Sequence, residues 1–279
     1  MPLRIAFDVD GVFADMELEL VRHGERLFGQ RTTRSDQQSN SLSLESARSP
    51  ADERTTAGAE TGKIAPLRMS LTPNQRHRLW NHVASVPNFW ESLEEVEPGA
   101  VARLASVAAA YRWEVMFLTK RSDSVGPSAQ LQTQRWLEAH GYTLPSVFVV
   151  QGSRGRVAAA LSLDFVVDDR PENCVDVLVD SEARPILVWR EDQQALPAHA
   201  RRLGIGVVDS TTNCIGILAE IDTALRERSS GAFNCGIRLL GLTKNSRARN
   251  WLPNRSVNTF AAWAQLFQPS RRPESSSTT

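Results

Sequence analysis

The sequence predicts an α/β fold of three layers, a parallel sheet between two layers of helices, with a helical cap inserted after the first strand. Three observations carry this. From Pro98 to about residue 226, short apolar runs alternate with stretches of helical spacing, and strands unbroken by polar residues belong to a parallel sheet covered on both faces. A separate apolar run, Leu3 to Val9, opens the chain and passes straight into Asp8-Val9-Asp10-Gly11. Between that run and Pro98 the alternation is interrupted by helical and polar segments, so this material is an insertion.

The first strand ends in two carboxylates. Strand side chains repeat with a period of two, so Asp8 and Asp10 project to one side, and Gly11 lets the chain leave the strand without a Cβ clash. Like charges held so close need a cation, and closely spaced Asp oxygens suit Mg²⁺, which takes one or two carboxylates plus substrate phosphate oxygens.

Asp15 to Phe28 follows with helical spacing, Met16, Leu20, Leu27 and Phe28 against Glu17, Glu19, Arg22 and Glu25. Arg31 to Gly62 has no aromatic residue and is dense in Ser, Thr, Gln, Ala and charge. Such a composition buries too little apolar surface to offset its ordering entropy and predicts a disordered insertion. Thr72 before Pro73 reads as an N-cap with proline in the first turn, starting a helix through Val86, and Asn88-Phe89-Trp90 reads as an exposed aromatic step.

The alternating part predicts helices near 99–110, 128–140, 155–162, 171–180 and 213–226, with strands near 113–119, 146–150, 164–168, 185–189 and 205–208. Ligands of such sheets bind at the carboxyl ends of the strands. Asp8, Asp10, Thr119, Asp168 and Asp169 all fall there.

Three strand ends carrying Asp-x-Asp, Phe-Leu-Thr-Lys and Asp-Asp-Arg-Pro, in that order, resemble the haloacid dehalogenase (HAD) superfamily of phosphatases. The resemblance covers roughly residues 1–14 and 99–226 and implies a Rossmannoid α/β/α core at 1–14 and 99–228 with a helical cap at 15–98 that covers the site. It implies that Asp8 is the nucleophile and that Asp10 protonates the leaving oxygen and then deprotonates water; spacing alone permits the reverse order. It further implies phosphoryl binding at Thr119 and Mg²⁺ held by Asp8, Asp10, Asp168 and Asp169, with Asp169 the more direct ligand of the second pair. The family's lysine ahead of the Asp-Asp strand is absent; the region reads Gln151-Gly152-Ser153-Arg154-Gly155-Arg156, and the lysines are Lys63, Lys120 and Lys244. Arg154 is the first candidate for its work and Arg156 the second, with Lys120 and Arg121 the next places for phosphate charge to be met.

Within the superfamily, Asn88-Phe89-Trp90-Glu91-Ser92-Leu93 ahead of Pro98-Gly99-Ala100, with Asp168 to Asn173, is similar to the 5'(3')-deoxyribonucleotidases. That likeness implies a nucleoside monophosphate as substrate and base stacking on cap aromatics, here Phe89 and Trp90. A phosphatase for a sugar or other small phosphate, and a weakly catalytic scaffold of the same fold, are the alternatives.

Composition adds limits. The 279 residues hold one α/β domain and an accessory segment, with a formal net charge of zero. Residues 230–279 carry seven Arg or Lys and one acid, a basic tail taken as solvated, with a nucleic-acid or protein contact as the alternative. Cys174, Cys214 and Cys235 form no Cys-x-x-Cys pair and read as reduced thiols of a cytoplasmic protein. No apolar run approaches the about 20 residues of a membrane span, so neither spanning nor secretion is expected. His77 and His82 are five apart and do not form a zinc pair on one helix face, and His23 reads as isolated.

Overall fold

The computed structural model describes residues 2–29 and 71–239. The chain divides into two units, Met1–Ala224 and Leu225–Thr279, and of the second only the end of one helix is described. The insertion at 31–62 expected to be disordered, and the tail beyond Leu239, lie outside the described residues.

The first unit is built on one six-stranded sheet of β1 (Arg4–Asp8), β2 (Glu114–Thr119), β3 (Ser146–Val149), β4 (Phe165–Asp168), β5 (Arg184–Val188) and β6 (Gly206–Val208). The order is β3-β2-β1-β4-β5-β6, parallel throughout. The chain thus builds outward on one side of β1, then crosses to β4 and builds outward on the other. The crevice at such a switch point is where α/β sheets receive ligands. Phe7 is level with both Phe117 and Val167, so the ends of β1, β2 and β4 lie side by side.

The central strands are apolar because both faces are covered. On one face Ala6, Met116, Leu118 and Val166 pack with Ala158 of α5 (Arg154–Ala160) and Val177 of α6 (Pro171–Asp180). Gly155 is required there, since a Cβ would run into the backbone carbonyl of Asp176. On the opposite strand positions Ile5, Phe7 and Phe117 are fully buried. Trp113, between α3 (Ala100–Tyr111) and β2, makes a buried bond from Nε1 to Asp222 Oδ2 of α8 (Thr211–Leu239), 2.9 Å. Ile237 and Leu239 continue α8, where the sequence offered no element boundary. Between β5 and β6 the structure adds a 3₁₀ turn (Gln193–Ala195) and α7 (Ala198–Arg202), too short to show a period in the sequence.

The inserted segment contributes α1 (Met16–Phe28) and α2 (Pro73–Ser85). Asp15 caps α1 by accepting from Leu18 N, and Thr72 and Gln75 form a capping box on α2 with Pro73 in the first turn. Both helices fall in the same unit as the sheet. Arg22 ties α1 to Glu94 at 2.7 Å, and Asp15 N donates to Glu94 O. His23 is not isolated: its Nδ1 lies 2.9 Å from His82 Nε2 on α2. Among the described residues no helix is long and apolar enough to cross a membrane.

Candidate active site

β1 delivers Asp8 at its last position, 5% exposed, and a tight turn then presents Asp10. In that turn Phe13 N and Ala14 N both donate to Val9 O, and Gly11 N to Ala14 O. Gly11 has φ +82°, and a Cβ there would overlap the Asp169 carboxylate. Glycine is therefore needed for conformation and for the close approach of Asp169.

Arg154, the first residue of α5, is 4% exposed. It donates from Nη2 to Asp8 Oδ1 at 2.5 Å and from Nη1 to Thr119 O at 3.4 Å, and its Nε lies 3.9 Å from Asp168 Oδ2. Arg156 points elsewhere, 84% exposed at its side chain and 3.9 Å from Asp180, so the structure removes it from the site. Two positions along a helix lie on different faces, which separates the two arginines. Lys120 is exposed, while its neighbour Arg121 is 2% exposed.

Asp168 and Asp169 differ sharply. Asp168 accepts from the Arg170 amide at 2.9 Å and from Asn173 Nδ2 at 2.9 and 3.0 Å, a local clamp at the start of α6. Asp169 keeps some surface, but its Oδ1 is enclosed and without a hydrogen-bond partner. Burial, then the Asp168 charge, pushes the Asp169 carboxyl up to about 8. Burial is also the main cause raising Asp8, reinforced by Asp168 and opposed by Arg154. It raises Asp168 as well, against Arg154 and Asn173.

Asp10 stands apart from this crowding. Thr119 Oγ1 donates to its Oδ2 at 2.9 Å, and Arg121 takes both oxygens, Nη2 to Oδ1 at 2.8 Å and Nε to each at 3.1 Å. The Thr119 hydroxyl, expected on a phosphoryl oxygen, is thus bonded to Asp10. Beneath the turn a second clasp fixes the backbone. Arg190 Nη1 donates to Gly11 O at 2.5 Å, and its Nη2 to Val12 O, Glu97 Oε1 and Thr211 Oγ1 at 3.2, 2.7 and 2.8 Å.

A dication fits the Asp8–Asp168–Asp169 side. An enclosed carboxylate oxygen without a partner, and three acids raised by burial around one arginine, are what a missing positive charge leaves. Among the described residues no three His, Cys, Asp or Glu side chains form a cage. Mg²⁺ does not require one, since it keeps several waters and commonly takes one or two carboxylates. The Asp10 side chain, expected among the metal ligands, is instead engaged by Arg121 and Thr119.

Phe89 and Trp90 are not an exposed step. They are 0% and 1% exposed, with ring centroids 4.9 Å apart. Trp90 Nε1 donates to Ser122 O at 2.9 Å, and its ring faces the Arg121 guanidinium 4.9 Å from the centroid. Base stacking on these two rings is ruled out as placed, because their faces are occupied by protein. The position of Arg121 against Asp10, the Asn173 clamp and the Arg190–Glu97 clasp were not legible in sequence. The nearest signal was an arginine two residues after the strand-end Thr119.

The family model described as "5' nucleotidase, deoxy (Pyrimidine), cytosolic type C protein" matches residues 59–191. Over that stretch the chain resembles the 5'-nucleotidases, which are phosphoric monoester hydrolases. The match runs through Thr119, Arg154 and Asp168–Asp169 but starts after β1, so Asp8 and Asp10 join the site through the sheet order. Similar solved structures include a haloacid dehalogenase-like family hydrolase from Xanthomonas campestris (14% identity, 80% of this chain and 97% of that one, TM-score 0.43). A phosphonoacetaldehyde hydrolase-like protein from Oleispira antarctica is 16% identical over 80% of this chain and 94% of its own, TM-score 0.43. CbbY from Rhodobacter sphaeroides, in complex with phosphate, is 17% identical over 76% and 96%, TM-score 0.37. No curated protein matches the chain.

Proposed function

We propose that the chain is a Mg²⁺-dependent phosphomonoesterase acting through an aspartyl-phosphate on Asp8, with nucleoside monophosphates as substrates. The observation that carries this is the placement of Asp8 between the ends of β2 and β4, its carboxylate held by Arg154 and its surroundings short of positive charge. Asp8 and Asp169 would hold the metal, with Asp168 and the Asp10 carbonyl in support; when bound it supplies charge neutralisation. An Asp8 oxygen attacks phosphorus as the bond to the leaving oxygen breaks, and Asp10 gives that oxygen its proton. Water then attacks the phosphorus of the aspartyl-phosphate while Asp10 takes its proton, releasing phosphate and free Asp8. Arg154 orients Asp8 and meets phosphoryl charge. A cytoplasmic setting goes with the matching family's description as cytosolic.

The substrate rests on the family match. A sugar or other small phosphate is the second reading, favoured by the burial of Phe89 and Trp90, which withholds the aromatic faces a base would use. Phosphate release from a panel of monoesters, with and without Mg²⁺, decides between them: nucleotides should be turned over fastest, and only with the metal. Asp8→Asn keeps the side chain's shape and should lower the rate at least about a hundredfold. A variant above a hundredth of the wild-type rate contradicts covalent catalysis.

A further inference from the structure

Arg121 has no part in the reaction just described, yet it is nearly sealed from water and every face of its guanidinium is occupied. Nε and Nη2 span both oxygens of Asp10, and Nη1 donates to Thr133 Oγ1 at 2.8 Å. The Trp90 indole lies against the guanidinium 4.9 Å away. Each support is itself anchored. Thr133 Oγ1 donates to Ala129 O at 2.6 Å within α4 (Ala129–Ala139), and Trp90 is bonded from Nε1 to Ser122 O and from its amide to Gln132 Oε1.

Asp10, by contrast, sits at the start of a turn, where nothing in its own strand fixes its carboxyl. A planar fork on both oxygens, completed by the Thr119 hydroxyl on Oδ2, sets the plane and direction of that group. We propose that Arg121, backed by Trp90 and Thr133, is the positioning residue for Asp10, so that the aromatic step before Pro98 acts on the proton donor through Arg121 and not on the substrate. The inference rests on the reading of Asp10 as the group that protonates the leaving oxygen. A displaced acid slows only the substrates whose leaving group must be protonated.

That selectivity supplies the test. In the full chain with Mg²⁺, kcat and KM are measured for an alkyl monoester such as a nucleoside 5'-monophosphate and for p-nitrophenyl phosphate, whose leaving group departs as the anion. Asp10→Asn is the reference and should lower kcat for the alkyl ester at least about a hundredfold more than for the aryl ester. Arg121→Lys keeps the charge but loses the fork, and should reproduce that split at about tenfold or more with KM little changed. Thr133→Val frees one guanidinium nitrogen without touching Asp10 and should show the same split at about threefold. Should Arg121→Lys be too unstable to assay, Thr133→Val decides alone. Equal losses on both esters, or no loss in a folded variant while Asp10→Asn shows the split, overturn the positioning role only. Absence of the split in Asp10→Asn overturns the proton-donor reading and this inference together.

Discussion

Asp8 and Asp10 stand two residues apart on the same strand end, yet their surroundings are opposite in kind. Asp8 shares its buried space with Asp168 and Asp169, and the single guanidinium on it, from Arg154, does not offset burial and like charge. Asp10 has a bidentate guanidinium and a hydroxyl of its own. The uneven division of two arginines among four acids puts the deficit of positive charge beside the proposed nucleophile, where phosphate chemistry needs a cation, and spares the proposed proton carrier. Two identical side chains meet different surroundings, which is what the proposed division of roles requires.

The largest expected effect breaks the Asp8 side. Arg154→Ala removes the positive group that touches that carboxylate among the described residues and should reduce kcat on the order of a hundredfold with Mg²⁺ present, as losing one preorganised electrostatic contact does. Arg154→Lys should recover part of the rate, since an ammonium restores charge without the fork. Arg156→Ala, two positions on and facing solvent, should stay within about twofold of wild type. Wild-type turnover in Arg154→Ala would mean that phosphate charge is met elsewhere, with exposed Lys120 the first place to look.

How much of this was legible depends on how local each signal is. Alternation of apolar strands and helices is written in consecutive residues, so the parallel sheet, the strand ends that carry the acids and the Thr72–Pro73 start of α2 could be read directly. Arg154 could be named because it stands where the family that the sequence resembles has a lysine. Burial is not local. Asn88-Phe89-Trp90 carries no sign that Trp90 lies on Arg121 or that Phe89 meets His23, whose ring centroids are 5.7 Å apart. Arg190 and Glu97 are 93 residues apart and meet only because β5 ends beside the Asp10 turn.

A smaller effect is expected from that clasp, which holds the backbone common to both acids. Burial pushes the Glu97 carboxyl up, but Arg190 and the amides of Thr211 and Thr212 outweigh it and leave the group below its ordinary 4.5. A carboxyl depressed on folding stabilises the fold above its unfolded value, and that contribution is lost as pH falls through the folded value. Glu97→Gln should therefore cost about 1–2 kcal/mol near neutrality, read by urea unfolding. The gap between variant and wild type should narrow as pH drops below 4.5. A constant gap across that range would show that the loss comes from shape and not from the charge.

The smallest effect comes from His23, which tests whether buried polar groups away from the four acids influence stability alone. Its ring is 7% exposed, with Nδ1 2.9 Å from His82 Nε2 on α2, Nε2 3.3 Å from Glu19 Oε1 and Phe89 edge-on. Burial lowers its pKa, Glu19 opposes this, and His82 and Arg26 add to it. The folded value therefore lies below the ordinary 6.5, and the neutral ring is the stable form in the fold. A histidine depressed on folding contributes stability that is complete above 6.5 and lost as pH falls, because the unfolded chain takes up the proton first. His23→Gln removes the titration while leaving an amide able to bond to His82. Its melting temperature should sit within about 3 °C of wild type above neutrality and fall less steeply on acidification. Should the two proteins lose stability in parallel below 6.5, the acid sensitivity lies in other groups, and the contact between α1 and α2 is held by packing and not by the protonation state of this pair.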